Sequence, residues 1–147
     1  MAATGVRSVP DVIQAKKFEV VNDDGKVLVR LGANMRGNGS VTTQNGKGQT
    51  LVQLGSFDGS GFVETQNGKG QTLVALGTYR GGGSIETQDG KGQSLVNVSS
   101  TPSGGEVLVK NSIGKGVLVM MIGPDGSGLV MTLDPAGNKA TSVTPSP

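Results

Sequence analysis

The sequence predicts an all-β chain built from tandem hairpin units of about 22 residues. Three observations predict it. The segment Gln44-Asn45-Gly46-Lys47-Gly48-Gln49-Thr50-Leu51-Val52 returns at Gln66–Val74 and again at Gln88–Val96, each time 22 residues on. Each copy carries Asn-Gly or Asp-Gly, the strongest short-range hairpin signal, here read as a turn with positive φ at both central positions. No helical period of useful length follows residue 18, and Val and Leu, which suit half-buried pleated strands, dominate the apolar residues.

Taken in order, residues 1–17 read as an N-terminal docking arm, with a short helix or extended stretch over Val9–Lys17. A degenerate first unit follows at Asp23-Asp24-Gly25-Lys26-Val27-Leu28-Val29. The three regular units each read as strand, turn, strand and Gly-rich link. In Phe62-Val63-Glu64-Thr65-Gln66, the period of two puts Val63 and Thr65 on one face and Glu64 and Gln66 on the other. A more apolar unit follows at Ser112–Val119, and a broken one at Asp134–Lys139. Degenerate end copies are expected of an array's capping units. Residues 18–139 thus form the repeat domain, and residues 140–147 an exposed tail.

Two arrangements of such units compete. A parallel solenoid would stack Lys47, Lys69 and Lys91 about 4.8 Å apart, whereas antiparallel hairpins separate equivalent residues by two strands, about 9.6 Å. Like charges within a Debye length of about 8 Å repel, so hairpins are preferred. The solenoid, and a closed sandwich or barrel, are the alternatives. A thin sheet with one Tyr, three Phe and no Trp buries little in a single copy. A homotrimer around a three-fold axis, each chain giving one side of a β-prism, supplies the missing interior. The continuous apolar run Val117-Leu118-Val119-Met120-Met121-Ile122 marks a strand covered on both faces. Residues 107–133 are therefore expected at the tightest part of the core or subunit interface.

Composition narrows the function. The chain has no His and no Cys, which removes Ser-His-Asp and Cys-His nucleophiles, zinc fingers, haem, iron–sulfur and copper sites, and disulfides. No enzyme, cofactor or metal is expected. Net charge is +2, too weak to argue for nucleic acid or a membrane surface. No run approaches the about 18 apolar residues of a membrane span. The first ten residues contain no continuous apolar stretch, so no signal peptide is expected there.

Several motifs invite a chemical reading, and each has a plainer one. Gly-Lys recurs, but the phosphate loop needs Gly-x-x-x-x-Gly-Lys followed by Ser or Thr and a helix. The Asp-Gly pairs lack the spacing of calcium loops. Glu64 and Glu86 could pair as glycosidase carboxylates, but as equivalent positions of repeats they read as solvated. Thr43, Thr65 and Thr87 form a regular row of the sort that binds ice on a flat face, or that simply pairs across strands. Arg7, Lys16 and Lys17 could dock the arm on an acidic surface. Val117, Val119, Met120, Met121 and Ile122 are the expected interface. Phe57-Asp58 and Tyr79-Arg80 are the expected exposed loops.

The stretches Phe18–Gly32 and Asn45–Val52 resemble a Gly-rich β-repeat of exported bacterial surface proteins and of phage virion proteins, over roughly residues 16–139. The resemblance implies a non-enzymatic, oligomeric protein of a virion or cell surface and carries over no catalytic residues. Without an expected signal peptide, the virion reading is preferred. The expectation is a trimeric capsid decoration (cement) protein or short spike or fibre, assembled in the host cytoplasm. Its partners would be its own copies and capsid or other virion proteins. The alternative is an extracellular surface or matrix adhesin binding host glycans through the loops.

Overall fold

A computed structural model describes residues 12–79 and 81–143. Its strands are β1 (Lys17–Val21), β2 (Val27–Ala33), β3 (Gly39–Gln44), β4 (Thr50–Phe57), β5 (Ser60–Gln66), β6 (Thr72–Tyr79), β7 (Gly82–Gln88), β8 (Ser94–Thr101), β9 (Gly104–Lys110), β10 (Gly116–Ile122), β11 (Gly128–Leu133) and β12 (Lys139–Val143). They form one open sheet in which each strand pairs antiparallel with the next in sequence. The chain is all-β, as expected, and neither a parallel solenoid nor a two-sheet sandwich. The sheet also runs past the expected domain end, because β12 takes residues 140–143 of the expected tail as a strand. At the other end Lys17, assigned to the arm, opens β1. The rest of the arm up to residue 11 lies outside the described residues.

The Asn-Gly turns differ from the expected type. Asn45 N–H donates to the Gln49 carbonyl at 3.0 Å, and Gly48 N–H donates to the Asn45 carbonyl at 2.9 Å. Positive φ falls on Gly48 (78°), not on Gly46. This is a three-residue loop, a type I turn closed by a left-handed glycine. Asn45 begins the turn instead of occupying its centre: its Oδ1 accepts from Lys47 N–H and Gln49 N–H at 3.0 and 3.1 Å. Asn67, Asp89, Asn111 and Asp134 repeat that double acceptance. The two-residue turn with both φ positive occurs elsewhere, at Asp58 (46°) and Gly59 (81°).

Each of these loops is followed by a bulge. The register steps from Thr43–Val52 to Gln44–Thr50, so Leu51 is the extra residue. Leu28, Leu73, Leu95, Val117 and Ala140 are skipped in the same way on β2, β6, β8, β10 and β12. The Leu that follows the turn motif in the repeats is thus the bulge residue, one per unit, always at the same end of the sheet.

No apolar side chain among the described residues is buried. The expectation that residues 107–133 form the tightest part of a core is not met within one chain: Met120 is 44% exposed. A single layer has no second layer to cover it, which is the physical reason.

Candidate functional site

The register sorts the side chains into two unlike faces. On one, Val41, Val63, Ile85 and Val107 alternate across the strands with Leu54, Leu76, Val98 and Met120. Phe18 and Leu31 extend this row to β1, and Val130 and Val143 extend it to β12. Beside it runs a second row, in which Thr43, Thr65 and Thr87 alternate with Val52, Val74 and Val96. The expected Thr row therefore exists, but with a Val between successive threonines. Leu54 is 50% exposed and Leu76 48%.

On the opposite face the central cross-strand row from β1 to β8 is polar except for Ala75. Glu19, Arg30, Thr42, Gln53, Glu64, Ala75, Glu86 and Asn97 lie in one cross-strand row. Arg30 Nε meets Glu19 Oε1 at 2.9 Å, and Lys17 Nζ meets Glu19 Oε2 at 3.2 Å. The Arg30 hydrogen bond, then the Lys17 one, hold the Glu19 carboxyl below its usual range. From β9 to β11 the same row turns apolar, with Leu108, Val119 and Met131 in register. Phe62 packs on this face between Gly55 and Gly77, where its ring lies 3.3 Å from the position a Gly55 Cβ would take. Gly55 and Gly77 thus make room for the Phe62 side chain.

The apolar run on β10 is divided between the faces. Met120 joins the long apolar row, while Val119 and Met121 point to the other side, and Val117 is the bulge residue. Ile122 pairs with Gly128 at the far end of the strand. Lys16 is exposed, and Lys17 is already engaged by Glu19. Arg7 and Arg80 lie outside the described residues. Tyr79 closes β6.

The loop at Phe57 and Asp58 has a partner that sequence reasoning missed. Arg36, in the preceding loop on the same sheet end, meets Asp58 Oδ1 at 2.9 Å and lies over the Phe57 ring, 4.0 Å from its centroid. Phe57 remains 49% exposed. A shallow recess of about 490 Å³ adjoins it, lined in part by Phe57, Asp58, Phe62, Glu64 and Ser84. Among the described residues no cluster of three or more His, Cys, Asp or Glu could hold a metal ion.

Sequence reasoning also missed the long apolar row itself. Its signal was present as two interleaved series at 22-residue spacing, 41/63/85/107 and 54/76/98/120. Only the strand register joins them into one line. No protein-family model and no curated protein sequence matches the chain.

Proposed function

We propose that this chain is a non-enzymatic structural protein of a virion, a trimeric capsid decoration protein or a short spike or fibre, completed by self-assembly. One observation carries the self-assembly: twelve strands in register, with no apolar side chain buried among the described residues. The chain exposes 10442 Å², against about 7,000 Å² expected for a globular monomer of its mass. Counting the sixteen residues outside the described set as fully exposed still leaves a surplus above the about 800 Å² that each partner gives a standard interface. The virion assignment rests on the resemblance of the Gly-rich repeat, and the arm before β1 is the proposed attachment to the particle.

The experiment combines light scattering on the purified chain with cosedimentation on phage particles purified from the source of its gene. A trimer that binds those particles, and stops binding when residues 1–16 are removed, is the expected result. A monomer at every concentration, or binding unchanged by the truncation, overturns it. An adhesin would instead give specific hits on a glycan array that disappear with Phe57→Ala. The Arg36 guanidinium already lies over one face of that ring and pairs with Asp58, which favours a scaffold over a sugar-binding loop.

A further inference from the structure

We propose that copies of this chain pack against one another through the face bearing the Val41-to-Met120 row, with the Glu-bearing face turned outward. The inference rests on the self-assembly reading above and deepens it by naming the surface. Charge segregation carries it. Lys17, Glu19, Arg30, Glu64, Glu86, Glu106 and Lys110 all stand at register positions of the opposite face. No strand-borne charge whose side chain is described lies on the apolar one. A surface meant for water rarely leaves eleven adjacent strands, β1 to β11, uncharged on one side, and desolvating such a face removes apolar area without stranding an ion.

The occupant is a second copy of this chain because of periodicity and area. The apolar row repeats every two strands, about 9.6 Å. A surface with the same repeat matches that stripe along its whole length, and the chain itself presents one. The area left exposed exceeds what a standard interface takes from each partner, as estimated above. The neighbouring row supports the same orientation. Its threonines alternate with valines, so each hydroxyl lies between apolar neighbours, where a Thr from a facing copy is a suitable hydrogen-bond partner.

The test uses two adjacent threonines. Thr42 and Thr43 are both half-exposed in the single chain, yet they stand on opposite faces. The chain has no cysteine of its own, so Thr42→Cys and Thr43→Cys each give a single thiol of nearly native size. Maleimide labelling of the assembled full-length chain should run on the order of ten-fold slower at residue 43 than at residue 42, since modification there requires the interface to open. Equal rates in an assembled sample, or slower labelling at residue 42, overturn the face while leaving self-assembly standing. A monomer in light scattering overturns both. As a second arm, Leu76→Lys should dissociate the assembly and Ala75→Lys should not. The opposite pattern counts against the proposal.

Discussion

The Asn or Asp that opens the turns at Asn45, Asn67, Asp89, Asn111 and Asp134 performs three tasks at once. Asn45 and its counterparts close the hairpin through the backbone, accept two N–H groups on the side chain, and set up the left-handed glycine three residues on. Two glycines of one turn therefore differ in role. Gly48→Ala places a Cβ at φ 78°, with nothing within 4 Å to collide with, so its cost is conformational, about 1–2 kcal/mol. Gly46→Ala, at an ordinary φ, should be close to neutral, and thermal melting of the two variants side by side checks this. Asp89 adds a pH dependence. Its carboxylate accepts from Gln93 and Lys91 N–H, and these hold it below the usual carboxylate range. A depressed carboxyl stabilises the fold above the unfolded value and loses that contribution as pH falls through the folded one, here below about pH 4. Asp89→Asn keeps the acceptor and removes the proton, as Asn67 already does. The variant should melt with a smaller loss of stability between pH 5 and pH 3, in a titration followed by circular dichroism.

At the scale of the strand, close approaches decide which glycines are replaceable. A Cβ on Gly82 would sit 2.6 Å from the Ser100 carbonyl oxygen, while one on Gly83 meets nothing within 4 Å. Gly82→Ala should force β7 and β8 apart at about 1–3 kcal/mol, and Gly83→Ala should not, as read from denaturant midpoints. Phe62→Ala uncovers Gly55 and Gly77 together and should lower stability by about 0.8–1.5 kcal/mol, half the value of a fully buried aromatic. The alternation of Val63-Glu64-Thr65-Gln66 was legible in the sequence because a strand has a period of two and the residues themselves alternate. The turn type was not. Asn-Gly satisfies both a two-residue and a three-residue loop, and the choice lay with Gly48, whose positive φ matches the extra Leu51 on the following strand. Arg36 was illegible for another reason: its contact with Phe57 and Asp58 spans two neighbouring loops that only the sheet brings together.

For the whole molecule, stability and assembly should be one quantity. If the apolar face is covered by copies, the melting temperature rises with protein concentration, because mass action favours the assembled state. A dilution series over two orders of magnitude, followed by calorimetry, measures it, and a melting temperature independent of concentration contradicts it. Met120→Asp places a charge within the uncharged row and should collapse the assembly, since an unpaired carboxylate would be desolvated there. Scattering mass and melting both report that loss, and parental values for both would show the row to be solvent-facing.

By itself the sequence determined the all-β class, the 22-residue unit and the thinness of the layer. Those follow from local chemistry: turn residues, a period of two, and too few large side chains to fill an interior. The tertiary structure alone decided that the units join edge to edge in a single sheet, that one bulge per unit keeps the register, and that leucines and valines from separate units fall into one uncharged line. Pairing register is a property of two strands together, and no single strand contains it.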